Sequence, residues 1–122
     1  MIVCPGGMPG AKHLAANRDL VRMLKEQKAR GGWYAAICAS PVVVFVGAGV
    51  VSTEKMVCYA HPSFTDVLRE SGNLTTGKVA VSGKCITSAG PGTAIDFGLK
   101  IVECLISGSK AEEVAKELLH TL

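Results

Sequence analysis

A cysteine flanked by small residues at the end of an apolar stretch is the feature of this sequence best suited to chemistry. Cys38 follows the apolar residues 33–37, with Ala36 two positions before it and Ser40 two positions after it. Small side chains at these offsets fit a nucleophile elbow, a sharp turn from a strand into a helix. A thiol in that turn stands at the helix N-terminus, where free backbone N–H groups and the helix dipole favour the thiolate. The pattern therefore predicts a reactive thiol, and the alternative is a buried, inert cysteine.

Two other loops are predicted to meet this cysteine. Residues 5–7 (Pro-Gly-Gly) and 60–62 (Ala-His-Pro) each follow a predicted strand. In an open α/β sheet the site lies beyond the carboxyl ends of the strands, so these loops should converge on Cys38. The backbone N–H groups of Gly6 and Gly7 suit an oxyanion hole, unless the glycines only form a turn. His61 is predicted to accept the thiol proton or to stabilise the thiolate, unless it is a hydrogen-bonded structural histidine.

Composition excludes several classes of function. Of the 122 residues, 48% are hydrophobic and 19% are charged, with a formal net charge of +3. The basic residues are scattered and aromatic residues are few, so we expect no nucleic-acid partner. The longest apolar run, residues 42–51, is interrupted by Gly47 and Gly49 and is too short to span a bilayer. The N-terminus does not resemble a signal peptide, so we expect no membrane partner and a cytoplasmic location.

The cysteine pattern argues against a disulfide framework and against a metal site. There are five cysteines, an odd number, and no two of them form a Cys-x-x-Cys pair. No cluster of cysteine and histidine has the spacing of a zinc site. We therefore expect reduced thiols, no metal and no cofactor.

Strands and helices alternate in the predicted chain, which indicates one α/β domain, residues 1–122, around a mainly parallel sheet. The predicted strands are residues 1–4, 33–37, 56–60, 78–81 and 84–87. A loop containing Pro9 and Gly10 follows the first strand. The predicted helices are residues 17–30, a short helix beginning near Pro41, residues 63–70, a helix capped by Thr93 and ending near Leu105, and a last helix to about Leu119 with a Ser109–Glu112 capping box. The β-branched run 42–46 favours a strand by propensity, but an elbow must turn into a helix.

Four motifs in order resemble the ThiJ/PfpI superfamily, and within it the DJ-one/YajL branch. They are CPGGMPGA at residues 4–11, AAICASP at 35–41, HP at 61–62 and TSAGPGT at 87–93, and the similarity extends from residue 1 to about residue 119. The resemblance implies a flavodoxin-like (Rossmann-type) three-layer sandwich and a homodimer. It makes Cys38 the elbow cysteine and His61 the neighbouring histidine. It also makes the backbone amides of Gly7 and Ala39 the groups that stabilise the thiolate.

The resemblance also implies a further N-terminal segment that this sequence lacks. In the family that segment holds the first strands, part of the dimer surface, and a glutamate whose protonated carboxyl donates a hydrogen bond to the elbow thiolate. We therefore expect a fragment of a longer protein whose first strand leaves an open apolar edge. Such an edge invites a second copy of the chain or the missing segment as partner.

Two functions follow from the resemblance. The first is a cofactor-free enzyme of the glyoxalase III or deglycase type, acting on a small aldehyde or a glycated substrate through Cys38 and His61. The second is a redox-sensing or chaperone-like stress protein in which Cys38 is oxidised to the sulfinate. A glutamine amidotransferase-like amidase has a similar elbow, but it needs a downstream His-x-Glu motif that is absent here. The chain by itself is expected to be weakly active or inactive as an enzyme.

Overall fold

A four-stranded sheet with helices on both faces forms the centre of the molecule, in a computed structural model that describes residues 1–122. The strands are β1 (Ile2–Cys4), β2 (Tyr34–Ile37), β3 (Val79–Ser82) and β4 (Cys85–Ser88). Their order in the sheet is β1-β2-β4-β3, with β1 and β4 parallel to β2 and with β3 antiparallel to β4. The predicted α/β class with a mainly parallel sheet is confirmed.

The central strand β2 is buried on both of its faces. Tyr34 and Ala36 belong to one hydrophobic cluster, and Ala35 between them belongs to another. Neighbouring side chains of a strand point to opposite faces of the sheet, so the two clusters are the two sides of a three-layer sandwich. The absence of polar alternation in residues 33–37 reflects this double burial.

Five α-helices surround the sheet. They are α1 (Gly10–Ala16), α2 (Arg18–Ala29), α3 (Pro62–Glu70), α4 (Ala94–Leu105) and α5 (Gly108–Glu117). The predicted helix 17–30 is confirmed as α2, and Asn17 caps it by accepting a hydrogen bond from the Leu20 N–H. Helix α1 lies where a loop was expected. Pro9 is the N-cap of α1 and makes no side-chain hydrogen bond to the helix. Because this local start signal is missing, the burial of Ala11 must stabilise the helix.

The predicted strand at residues 56–60 is wrong. Only Met56 forms a bridge there, with Leu74. The segment is held instead by scattered hydrogen bonds, such as the one from the Val57 N–H to the Thr87 hydroxyl at 3.0 Å. An apolar run of this length predicts burial, and Met56, Val57 and Cys58 are buried, but burial does not require a strand partner.

The helix predicted to begin near Pro41 is a π-helical segment, Pro41–Val46. The Gly47 N–H donates to the Val42 carbonyl at 3.3 Å, five residues back, which is the π-helical pattern. The last helix also begins earlier than predicted. The hydroxyl of Ser107, not Ser109, accepts from the Lys110 N–H and caps α5. No helix has the length and apolar character needed to cross a bilayer.

Candidate active site

Cys38 lies in a strained turn directly after the carboxyl end of β2. Its φ angle is 67°, a left-handed conformation that residues with a side chain rarely adopt. The Cys38 N–H donates to the Ser88 carbonyl at 2.9 Å, and the Cys38 carbonyl accepts from the Tyr59 N–H at 2.8 Å. These two bonds hold both sides of the residue, so the surrounding structure maintains the strain. A nucleophile elbow holds its nucleophile in a strained turn of this kind, and the Cys38 side chain is half-buried.

The glycine loop at residues 5–7 lies against this turn. A Cβ atom added to Gly6 would lie 2.7 Å from the Cys38 Cβ and 2.9 Å from the Ile37 carbonyl oxygen, so only glycine fits. Gly7 has a φ of 88° and needs glycine for that conformation. The Ser40 hydroxyl donates to the Pro5 carbonyl at 2.5 Å and ties the loop to the elbow. The small residues around Cys38 therefore permit close backbone contact, as their spacing predicts.

Three backbone N–H groups beside the turn have no acceptor in the chain. They belong to Gly6, Gly7 and Ala39. Because the following π-helical segment has only six residues, these individual groups are better suited than a helix dipole to hold a negative charge. That they stabilise a thiolate or an oxyanion remains a prediction.

His61 is linked to the Cys38 turn only along the chain. It follows Tyr59, whose N–H bonds to Cys38, by two residues, and it is the N-cap of α3. Its Nδ1 accepts from the Ser63 N–H at 3.2 Å and contacts the Ser63 hydroxyl at 2.6 Å. With Nδ1 accepting a backbone N–H, the neutral ring carries its proton on Nε2. The ring is thereby suited to donate a hydrogen bond to a thiolate, and its pairing with the Cys38 sulfur remains a prediction.

The other four thiols are in environments that disfavour the thiolate. Burial raises the pKa of Cys4 to about 11 and that of Cys85 to about 12. Burial and, to a lesser extent, the nearby Cys38 raise the pKa of Cys58 to about 11. Burial also raises the pKa of Cys104. All five cysteines are free thiols.

A cavity lies away from this turn, and nothing in the sequence indicated it. A cavity of about 530 Å³ is lined by residues of α4, α5 and the start of β3, among them Lys78, Asp96 and Glu103. Near it the His120 Nε2 donates to the Asp96 carboxylate at 3.0 Å, and this hydrogen bond lowers the pKa of Asp96. Sequence alone could not pair two residues 24 positions apart, one in the first turn of α4 and one in the segment after α5. No group of three acidic, histidine or cysteine side chains is arranged to hold a metal ion.

Comparison with known proteins shows similarity along nearly the whole chain. Residues 1–104 match the DJ-1/PfpI family. The sequence is 36% identical to Protein DJ-1 homolog B of Arabidopsis thaliana over 98% of this chain and 27% of that protein. It is 40% identical to the glutathione-independent glyoxalase DJR-1.2 of Caenorhabditis elegans, over 97% of this chain and 61% of that protein.

The structure is similar to that of Toxoplasma gondii DJ-1 in its oxidized form. The TM-score is 0.90 at 43% sequence identity, over 96% of this chain and 62% of that one. This similarity confirms the predicted flavodoxin-like fold. The chain spans less than two thirds of the length of each of these relatives.

Proposed function

Because this chain belongs to the DJ-1/PfpI family, we propose that it provides the reactive-cysteine site of a cofactor-free enzyme acting on small reactive aldehydes or their early glycation adducts. The observation that carries the proposal is the strained turn at Cys38, with φ 67° and three unpaired backbone N–H groups on residues around it. A relative named as a glutathione-independent glyoxalase supports this chemistry.

The proposed reaction begins with attack of the Cys38 sulfur on the aldehyde carbon of a 2-oxoaldehyde such as methylglyoxal. A carbon–sulfur bond forms, and the carbonyl oxygen takes a proton to give a hemithioacetal. The N–H groups of Gly6, Gly7 and Ala39 are suited to hold the oxygen while it is negatively charged.

A proton then moves from the former aldehyde carbon to the neighbouring carbonyl carbon through an enediol. This transfer oxidises the former aldehyde carbon and reduces its neighbour. The product is a thioester of Cys38, and water cleaves it to release the 2-hydroxy acid and the thiol. Because the two carbons exchange oxidation states within one molecule, the step needs no external electron acceptor. His61, with a proton on Nε2, is suited to donate to the sulfur or oxygen during these steps.

Turnover of methylglyoxal to lactate tests this proposal. We expect activity to fall at least about 100-fold in Cys38→Ser, because a serine hydroxyl is a far weaker nucleophile at neutral pH. The Cys104→Ser variant, which changes a thiol on α4, should keep wild-type turnover. Equal activity in the wild type and in Cys38→Ser would refute the proposal.

The role of His61 can be separated from its capping of α3. Asparagine is a good N-cap residue, so His61→Asn should keep the stability that His61→Ala loses, about 1 kcal/mol. Both variants should lose turnover if the imidazole acts chemically. Recovery of turnover in His61→Asn would show that the histidine acts only as a cap.

A second candidate function is a redox-sensing or chaperone-like role in which Cys38 is oxidised to the sulfinate. The oxidized form of the similar Toxoplasma protein favours it. Consumption of two equivalents of peroxide at Cys38, one to reach the sulfenic acid and one to reach the sulfinate, with no methylglyoxal turnover, would favour this function over the enzyme.

We further propose that the chain works with a partner on the open edge of β1. The partner is a second copy of the chain, or a segment like the N-terminal part of the longer relatives. The supporting observation is that β1 pairs only with β2, so its other edge carries unpaired backbone groups.

A further inference from the structure

Cys58 is a buried thiol that the proposed reaction does not use, and it lies beside the reactive cysteine. The hydrogen bond from the Tyr59 N–H to the Cys38 carbonyl joins the two peptide units that follow Cys58 and Cys38. Such a bond holds neighbouring chain segments about 5 Å apart. A disulfide needs a Cα–Cα separation of about 4.4 to 6.8 Å, so the two segments have the right spacing.

The backbone polar groups of Cys58 itself take no part in a strand ladder. The segment around it is not a strand, and neither the N–H nor the carbonyl of Cys58 makes a hydrogen bond within the chain. The only polar contact of this residue is from its thiol to the Tyr59 carbonyl at 3.6 Å. A change in the direction of its sulfur would therefore break no hydrogen bond of the sheet.

No other cysteine is placed in this way. Cys4 is held in the β1 ladder opposite Ala36. Cys85 lies opposite Tyr34 at the amino end of β4, whereas Cys38 follows the carboxyl end of β2. Cys104 packs against the cluster on the other face of the sheet.

We propose that Cys58 is the resolving cysteine of Cys38, so that mild peroxide oxidation closes a reversible Cys38–Cys58 disulfide instead of proceeding to the sulfinate. The inference rests on the reactivity of Cys38 assumed in the proposed function, and it adds a redox control of that site.

The chemistry balances with a hydroperoxide as the oxidant. The Cys38 sulfur attacks one peroxide oxygen, the O–O bond breaks, and the products are a sulfenic acid and water or an alcohol. The Cys58 sulfur then attacks the Cys38 sulfur. The S–S bond forms as the S–O bond breaks, and the oxygen leaves as water with the thiol proton. The two thiols lose two electrons, which the hydroperoxide accepts, and a dithiol can later reverse the step.

Electrostatics favour the attack of Cys58 once Cys38 has been oxidised to the sulfenic acid. The proximity of Cys38 contributes to the raised pKa of Cys58, because two thiolates would repel each other, although burial is the larger cause. Conversion of Cys38 to a neutral sulfenic acid removes that repulsion, so the Cys58 thiol loses its proton more readily when its partner is ready to react.

Peptide mapping under non-reducing conditions after one equivalent of hydrogen peroxide tests the proposal on the 122-residue chain. We expect a cross-linked peptide pair containing Cys38 and Cys58, a mass loss of about 2 Da in the intact chain, and reversal by dithiothreitol. With an excess of hydrogen peroxide, which the two oxidation steps to the sulfinate require, Cys38 should reach the sulfinate several-fold faster in Cys58→Ala than in the wild type. Cys4→Ala is the matched control, because Cys4 is also buried with a pKa of about 11, and it should behave as the wild type.

The proposal is overturned if the linked peptide contains Cys4 instead, or if Cys38 becomes sulfinate equally fast in the wild type and in Cys58→Ala. It is also overturned if peroxide leaves Cys38 unmodified. If Cys58→Ala does not fold, the peptide map of the oxidised wild type alone decides whether Cys58 is the partner of Cys38. Methylglyoxal turnover is measured separately, on the reduced chain mixed with the N-terminal segment of a longer relative, because the chain by itself is expected to be weakly active or inactive. A disulfide without turnover refutes the aldehyde function only, and turnover without a disulfide refutes the resolving cysteine only.

Discussion

Burial determines how the five thiols of this chain compare in reactivity. Cys4, Cys58 and Cys85 are buried, and burial raises the pKa of each to about 11 or above. Because the thiolate is the nucleophile, these residues should react slowly at neutral pH. Cys38 combines partial exposure with a strained turn, and the N–H groups of Gly6, Gly7 and Ala39 around that turn make no hydrogen bond within the chain.

We therefore expect a limiting amount of an alkylating reagent to label Cys38 before any other cysteine. Peptide mass mapping of the labelled chain measures this, and Cys38→Ser should remove most of the early label. Faster labelling of Cys58 or Cys104 would contradict the assignment of the elbow.

Gly6 should tolerate no side chain, because a Cβ there would lie 2.7 Å from the Cys38 Cβ. We expect Gly6→Ala to lower the free energy of unfolding by about 1–3 kcal/mol and to change the alkylation rate of Cys38. The control is Gly10→Ala in α1, where nothing lies within 4 Å of the added atom. Denaturant unfolding measures both variants, and equal stability of the two would show that the loop can move away from the elbow.

Among the elements, the start of α5 distinguishes two serines that look equivalent in the sequence. Ser107 accepts the hydrogen bond from Lys110, whereas Ser109 is an exposed residue inside the first turn. We expect Ser107→Ala to cost about 1 kcal/mol and Ser109→Ala to cost less than about 0.5 kcal/mol. Thermal unfolding of the two variants checks this, and the reverse order would restore Ser109 as the cap.

A second element, the loop after the π-helical segment, is held by an ion pair. Burial acts to raise the pKa of Glu54, but the Lys28 ammonium at 2.7 Å and the Ser52 N–H outweigh it, and the pKa falls to about 2 from an ordinary 4.5. Because folding lowers this pKa, the ionised Glu54 carboxylate stabilises the folded state. This stabilisation is complete above about pH 4.5 and is lost as the pH falls from there toward 2.

We expect Glu54→Gln to be about 1–2 kcal/mol less stable than the wild type at pH 7, with the difference shrinking toward pH 2. Urea unfolding over this pH range measures it. Glu26→Gln, which removes an exposed carboxylate 3.7 Å from Arg22, is the control and should change little. A pH-independent difference for Glu54→Gln would contradict the titration of this carboxylate.

For the whole molecule, we expect substitutions at the two edges of the sheet to affect self-association differently. Val3 on β1 and Val81 on β3 are both exposed valines of edge strands, at 46% and 44%. If the β1 edge binds a second copy, the chain should self-associate and Val3→Lys should shift it toward monomer, since a lysine blocks edge pairing. Val81→Lys should leave the self-association unchanged. Sedimentation velocity measures the states, and dissociation by Val81→Lys alone would place the contact on the opposite edge.

Much of this architecture follows from local sequence patterns. The apolar run before Cys38 predicts a doubly buried strand, the stripe in residues 17–30 predicts α2, and the small residues around Cys38 predict a tight turn. Each of these depends on neighbours in the chain, through periodicity or steric size, so the sequence alone determines it.

Tertiary contacts decided the rest. Residues 56–60 are apolar enough for a strand, but only Met56 pairs, in a bridge to Leu74, and Met56, Val57 and Cys58 are buried in an irregular segment instead. Helix α1 lacks a capping side chain, and the core stabilises it. The juxtaposition of Cys58 with Cys38, across 20 residues, and of His120 with Asp96 arises only when strands and helices are packed. Hydrophobic periodicity specifies which face is buried, whereas the partner of a given side chain depends on the path of the whole chain.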